Sequence, residues 1–267
     1  MFRYLKYFDY YMELFFKRVG GKGNMNSTSN GEFRLLDSIV KNSADKVTFL
    51  DGGANVGAHS IYFLDLCLKY TKKPSLFSVE PFPSTRKILA NNIKNKAEGK
   101  NCKILPIALG DESKKVNFYY DEGDSSGANS VVEHYYLNSG EIEVQQEKLD
   151  DVAIENNITK IDFLKLDIEG AEFNALLGAK NLLQNKKIRY IQLEYNQTWI
   201  KGGGSIEKVM NLCNQFDYAL YRITKSGLLS IPTYHYVLDD FFYSNLLLIS
   251  SDEDLPMKIS KKALPFL

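Results

Sequence analysis

Five acids and a cluster of glycines stand where chemistry can be done. Asp51, Gly52, Gly53, Ala54, Asn55 and Gly57 follow one another in LDGGANVGAHS, where the apolar run KVTFLD gives way to a helical pattern. Glu80 closes SLFSVEP, Asp167 and Glu169 close KIDFLKLDIEG, and Glu194 and Asn196 close KIRYIQLEYN. Each acid ends an apolar run. Acids that end parallel strands share one rim, and open α/β sheets bind ligands at that rim. A carboxylate there can accept hydrogen bonds from hydroxyls, attract a cation, or remove a proton.

The glycine turn is built to receive a ligand, because Gly52 and Gly53 permit backbone angles and close approach that a side chain forbids. Gly57 lets the chain pass tightly into the next helix. A dinucleotide calls for G-x-G-x-x-G. Counted from Gly53, the second slot holds Asn55 and the third Ala58. Asp51 would also repel a pyrophosphate. S-adenosylmethionine has no phosphate; it has a ribose, a sulfonium, an ammonium and a carboxylate. Asp51, the glycines and Asn55 suit it, and Glu80 suits its ribose hydroxyls. Glu80 alone does not discriminate, since dinucleotide sites use an acid there too. Pro81 follows Glu80. Ala108 and Leu109 in PIALGD would line an adenine, with Asp111 near its amino group.

Asp167, Glu169 and Glu194 are the candidates for proton removal. A free carboxylate has a pKa of about 4, so a useful base needs burial or a like-charged neighbour. Asp167, Glu194 and Asn196 are also an oxygen-donor set suited to Mg²⁺. The plainer alternative for Asp167 and Glu169 is capping of the helix that follows. His59, in the first turn after the glycines, would reach the site or merely start a helix. Ser126, Asn129 and Ser130 lie in DEGDSSGANSVVEHYY, a polar loop of the kind that covers sites. Trp199, the single tryptophan, precedes three glycines and would stack on a sugar ring or be packed inside.

The elements that position these groups follow from periodicity. KVTFLD, SLFSVEP, NCKILPIALGD, KIDFLKLDIEG and KIRYIQLEYN read as strands. AHSIYFLDLCLKY, STRKILANNIKNKAE (Ser84 as N-cap), AEFNALLGAKNLLQN and SIEKVMNLCNQF read as helices. Strand and helix alternate, which implies a parallel sheet covered on both faces. YALYRI and NLLLIS add a late strand pair, read as an edge hairpin. Ahead of the sheet, Phe8, Tyr11, Met12, Phe15 and Phe16 mark an amphipathic helix. A Gly/Ser/Asn-rich linker and a helix over EFRLLDSIVKN follow it. We therefore expect a helical extension and linker over residues 1–46 and one ligand-binding domain over 47–267.

Composition narrows the classes. Lys plus Arg and Asp plus Glu both number 33, so the chain is formally neutral, which disfavours nucleic acid as a partner. Cys67, Cys102 and Cys213 are scattered, as in reduced cytoplasmic proteins. No run approaches the roughly 20 apolar residues of a transmembrane span. The N-terminal helix would pack on the body or on a second copy of the chain.

FLDGGANVGAHS, FSVEPFP, PIALGD, SSGANSV, EKLDDV, IDFLKLDIEGAEF and IQLEYN, in that order, resemble the FkbM family of S-adenosylmethionine-dependent methyltransferases. They span roughly residues 47 to 196. The resemblance implies a class I methyltransferase, Rossmann-like, with a seven-stranded mostly parallel sheet. It also implies methylation of a hydroxyl oxygen on a saccharide or related metabolite. RNA or protein methylation, or a scaffold that binds the cofactor without catalysis, are the alternatives.

Overall fold

The computed structural model describes residues 11, 22–97, 100–121, 129–133 and 140–260. Its strands are β1 (Lys46–Gly52), β2 (Lys73–Val79), β3 (Asn101–Leu105), β4 (Ala108–Gly110), β5 (Lys114–Tyr120), β6 (Gly140–Lys148), β7 (Ile161–Leu166), β8 (Ile188–Tyr195), β9 (Tyr218–Thr224), β10 (Gly227–Ser230) and β11 (Ser244–Ser250). The main sheet has eight strands in the order β10-β9-β11-β8-β7-β1-β2-β3. β3, β2, β1, β7 and β8 pair in parallel. β11 is antiparallel to both β8 and β9, and β10 to β9.

The expected seven strands become eight because β10 folds back on β9. The edge hairpin is thus β9–β10, and β11 inserts between β9 and β8. NCKILPIALGD is not one strand. Pro106 has no N–H to give a ladder, and β4 leaves for a second sheet of order β4-β6-β5. β5 and β6 do not read as core strands because few of their residues are buried, one of seven in KKVNFYY and two of nine in GEIEVQQEK. The helix over AEFNALLGAKNLLQN is two short ones, Glu172–Leu177 and Lys180–Gln184. At Gly178 a Cβ would stand 2.1 Å from the Gly110 carbonyl oxygen, so the break lets the chain pass against β4. The helix Pro83–Ala97 begins on Pro83, not on a Ser84 cap; proline's fixed φ suits a first turn.

Strand alternation divides the core. Leu50, Leu164, Leu166, Ile191 and Leu193 face the helices Leu149–Glu155, Glu172–Leu177 and Ile206–Phe216. Val47, Phe49, Phe163 and Tyr190 face the helices Glu32–Asn42 and Ala58–Lys69. Phe49 stacks on Phe163 at 5.3 Å and tilts on Phe63 at 5.2 Å. The glycine- and serine-rich stretch before residue 32 is no free linker where it is described. It forms the short helix Ser27–Asn30 and buries Lys22 and Asn30. Of the amphipathic N-terminal helix only Tyr11 is described, helical and exposed; the rest lies outside the described residues. Cys67, Cys102 and Cys213 are free thiols. Among the described residues no helix is long and apolar enough to cross a membrane.

Leu35, Leu36, Ile39 and Val40 bury one face of the helix Glu32–Asn42 in the sheet's core. Leu35→Ala is expected to cost about 2–5 kcal/mol in urea unfolding. An unchanged midpoint would show that this helix is not part of the cooperative unit.

Candidate active site

The parallel strands β1, β2, β7 and β8 end on one rim, and the turns beyond them make the site. Gly53 and Ala54 donate their amides to the Val79 carbonyl, 3.1 and 3.0 Å, and Asp167 donates its amide to the Gly52 carbonyl, 3.0 Å. These bonds clamp the glycine turn between its two neighbouring strands. Gly53 has φ +77°, and a Cβ there would fall 1.8 Å from the Asp167 carbonyl oxygen. Only glycine fits. Gly52 shows no left-handed angle, contrary to expectation; it is the last residue of β1 and packs under Leu166. Gly57 and Ala54 turn away from the ligand side, towards Leu89.

A cleft of about 580 Å³ opens beside the turn. Gly53, Asn55, Glu80, Pro81, Ala108, Leu109, Asn129 and Asp167 all line it, with apolar walls from Ile107, Phe118, Val131 and Ile168. The second sheet supplies one wall, so the irregular excursion positions Ala108, Leu109 and Phe118. Asp111 is exposed and outside the lining.

Glu80 accepts from the Asn55 amide (3.1 Å) through one oxygen and from the Phe82 amide (2.9 Å) through the other. Burial pushes its pKa up to about 7 against the pull of those two amides. Each oxygen keeps a lone pair towards the cleft. Asp51 accepts from the Ser60 hydroxyl at 2.6 Å through Oδ2, while its Oδ1 is buried with no partner.

Beyond Asp167 lies a second group. Asp167, Glu169 and Glu194 bring carboxylate oxygens within 4.8 Å of one another. The Asn196 amide nitrogen bridges Glu169 (3.2 Å) and Glu194 (3.1 Å). Burial, then the charge of Asp167, pushes Glu169 up to about 7. Burial, then Asp167 and Glu169, raises Glu194 well above an ordinary carboxylate. Glu172, fully buried, accepts from the amides of Ile168 and Gly170, both 2.9 Å, and so shapes the turn that carries Glu169.

Lys165 is the counter-charge. It is 2% exposed, and its Nζ stands 2.5 Å from Asp167 Oδ2. Burial lowers its pKa, but Asp167, Asp51 and Glu32 outweigh burial and raise it. Glu32, from the helix before β1, accepts from Asn30 and from Gln192, both at 2.5 Å. Burial opposes its ionisation, yet His59, Lys165 and Asn30 hold it at about 2. His59 lies 3.2 Å from Glu32 and edge-on to Phe33, outside the cleft lining.

Several expected residues are placed elsewhere. Trp199 is wholly buried, donates Nε1 to the Glu194 carbonyl at 2.8 Å and meets Tyr195 edge-on. It offers no face to a sugar and instead fixes the strand end that carries Glu194. Ser130 is 1% exposed, and its hydroxyl holds the Ile168 and Glu169 carbonyls, so it ties the excursion to the turn. Ser126 lies outside the described residues.

The Mg²⁺ set of Asp167, Glu194 and Asn196 does not form as expected. Asn196 aims its nitrogen at the acids, and its oxygen accepts from Thr198. The three carboxylates are oxygen donors of the right type, but the Lys165 ammonium already sits on Asp167. A resident cation there opposes a second one.

Glu32, Lys165, Gln192 and Tyr243, whose phenol lies in the fields of Glu194, Glu32 and Asp167, are not among the residues expected at the site. For Lys165 and Gln192 a signal existed: each is a polar residue inside a strand otherwise apolar on both faces, FLKL and YIQL. Glu32 and Tyr243 carry no such mark.

The chain is 28% identical over 182 residues to the 2-O-methyltransferase NoeI of Sinorhizobium fredii, covering 63% of this chain and 71% of that protein. It is 24% identical over 163 residues to the hexuronic acid methyltransferase AglP of Haloferax volcanii, covering 61% of this chain and 62% of that one. A solved FkbM methyltransferase from Methylobacillus flagellatus aligns at 16% identity and a TM-score of 0.49, over 78% of this chain and 44% of that chain. The chain thus spans under two thirds of AglP and under half of that solved chain. A family-level sequence model described as the methyltransferase FkbM domain matches residues 51–221, from Asp51 through Glu80, Asp167 and Glu194. The chain belongs to the FkbM methyltransferase family.

Proposed function

We propose that this methyltransferase takes S-adenosylmethionine as its methyl donor and alkylates a hydroxyl of a saccharide or related metabolite. The observation that carries the reading is the cleft itself. Among the described residues its lining has two carboxylates, Glu80 and Asp167, and no lysine or arginine. Such a lining suits a donor with a ribose and a cationic centre and repels a pyrophosphate. Asp167 suits the donor's cationic groups, the acceptor capacity left on Glu80 suits ribose hydroxyls, and the apolar walls suit a base.

S-adenosylmethionine, when bound, supplies an electrophilic methyl group on a sulfonium. The chain's own residues deal with the acceptor. Glu169 and Glu194, linked by Asn196, take the proton of the acceptor hydroxyl on a carboxylate oxygen. Their raised pKa values make them stronger bases than a free carboxylate, which favours proton transfer near neutral pH. Lys165 holds Asp167 in place beside them, and the Trp199 bond to the Glu194 carbonyl fixes the base. Positioning supplies much of the remaining acceleration. NoeI is a 2-O-methyltransferase and AglP acts on hexuronic acid, and both support an oxygen acceptor on a sugar.

Calorimetric titration is expected to show binding of S-adenosylmethionine and S-adenosylhomocysteine and none of NAD; NAD binding alone would sink the reading. Gly53→Ala is expected to weaken S-adenosylhomocysteine at least ~100-fold, as displacing a binding turn by about 1 Å does.

The pH dependence of kcat gives a second check. The base works deprotonated, so kcat should rise through about pH 7, the region to which Glu169 is pushed. Asp167→Asn removes the like charge that helps to raise Glu169, so the rise should move to lower pH, while Glu194→Gln should lower kcat roughly 10²–10⁴-fold. Full activity with an unmoved profile would remove the pair from the chemistry.

Treatment with a chelator is expected to leave activity unchanged, because Lys165 supplies the positive charge at Asp167. Loss on chelation, restored by Mg²⁺, would show that the three carboxylates hold a metal after all.

A further inference from the structure

A chain of hydrogen bonds runs from Glu32 through β8 and β11 to Tyr243. Gln192 gives both hydrogens of its amide nitrogen, one to Glu32 at 2.5 Å and one to the Asn245 oxygen at 3.1 Å. Asn245 then donates its own amide nitrogen to the Tyr243 phenol oxygen at 3.3 Å. The chain can run in one direction only. Glu32, held at about 2, is ionised and can only accept. Gln192 must therefore present nitrogen, Asn245 must receive it on oxygen, and the Asn245 nitrogen is left to face Tyr243.

The consequence falls on the phenol. Its oxygen is an acceptor in the chain, so its own hydrogen must go elsewhere. Among the described residues none accepts that hydrogen. A tyrosine that only packs usually gives its O–H to a partner inside the fold. Burial, then the charges of Glu194, Glu32 and Asp167, raises the Tyr243 pKa, so the group stays protonated and remains a donor at neutral pH.

That donor stands on the face of the sheet that carries the acids. Asp51 is the register partner of Lys165, Lys165 of Gln192, and Glu194 of Asn245, so strand alternation puts all five on one side. Tyr243 precedes Asn245 by two residues and meets its side chain, which continues that side beyond the end of β11. Register partners lie about 5 Å apart. The phenol, bonded to the Asn245 amide, is therefore within reach of a small molecule held at Glu194. Gln192 and Asn245 are buried, but Tyr243 is half-buried, as are Asp167 and Glu169. The phenol and the acids thus both meet solvent, where an acceptor arrives.

We propose that Tyr243 orients the methyl acceptor by donating its phenol hydrogen to an acceptor oxygen beside the hydroxyl that is methylated. Glu169 and Glu194 accept from the reacting hydroxyl, and Tyr243 gives to its neighbour. A donor and an acid side by side suit the adjacent oxygens of a sugar ring. Glu32, acting through Gln192 and Asn245, is a positioning residue that keeps the phenol hydrogen free for the ligand. A site that offers such a bond discriminates against a ligand that cannot take it, because the polar group is then left unpaired. The proposal rests on the saccharide reading above and names the residue that orients the sugar.

The test is calorimetry on the full chain saturated with S-adenosylhomocysteine, titrated with glucose, glucuronate and N-acetylglucosamine. Wild type should bind at least one of the three. Tyr243→Phe removes only the O–H; it should weaken that sugar at least tenfold and leave the affinity for S-adenosylhomocysteine unchanged. Asn245→Asp still accepts from Gln192 but offers the phenol a carboxylate, which takes its hydrogen. This variant should lose as much sugar affinity although Tyr243 is present. In the double variant the two losses should not add, because both remove one hydrogen bond. A sugar bound equally by wild type and Tyr243→Phe overturns the proposal, as does full affinity in Asn245→Asp or a double variant in which the losses add. If Asn245→Asp does not fold, Tyr243→Phe decides alone. Binding of none of the sugars by wild type overturns the saccharide reading and this proposal with it. Failure of S-adenosylhomocysteine to bind would instead count against the methyl-donor reading, and the sugar titrations would still report on Tyr243.

Discussion

One ammonium governs the charge of the rim. Asp51, Asp167 and Glu32 come from three different parts of the chain; Asp167 bonds Lys165 directly, and the charges of all three act on it. Without that cation they would be like charges gathered in a poorly solvated place. At an effective dielectric constant of 20, two such charges 4 Å apart repel by about 4 kcal/mol. Removing one partner of a buried pair costs roughly 3–5 kcal/mol. With Lys165 in place, Asp167 can stand beside Glu169 and Glu194, and its charge adds to burial in raising both. A single side chain, placed by strand alternation, thereby tunes groups on a turn and on a neighbouring strand.

The same interaction divides labour along the rim. The cleft at β1, β2 and β4 has acids balanced by backbone amides, as at Glu80, and receives a ligand. The group at β7 and β8 has acids balanced by Lys165 and bridged by Asn196, and is the one proposed to take the acceptor's proton. Asp167 belongs to both, lining the cleft while it bonds Lys165. A donor and an acceptor that met there would meet at Asp167.

The parts outside the family-matched span complete the rim. Residues 51–221 supply the glycine turn and the carboxylates. Glu32 comes from before that span, and Tyr243 and Asn245 come from after it. Glu32 reaches Gln192 of β8, and Gln192 reaches Asn245 of β11 at 3.1 Å, so a buried polar chain joins the flanks to the matched core.

Local pattern alone determined the order of elements, the parallel sheet and the rim. Apolar runs that end in an acid declare both a buried strand and its functional end, and Gly53 declared a turn no other residue could make. Pairing across distance was not legible. β4 left the main sheet because Pro106 cannot donate to a ladder and Gly178 lets a helix break pass against it. Trp199 proved to be a brace and Ser130 a tie, because burial and partners are properties of the packed chain. Glu32 and Lys165 look like ordinary charged residues in the sequence. Only the tertiary structure buries them, and a charge gains chemical meaning when water is removed and its neighbours are fixed.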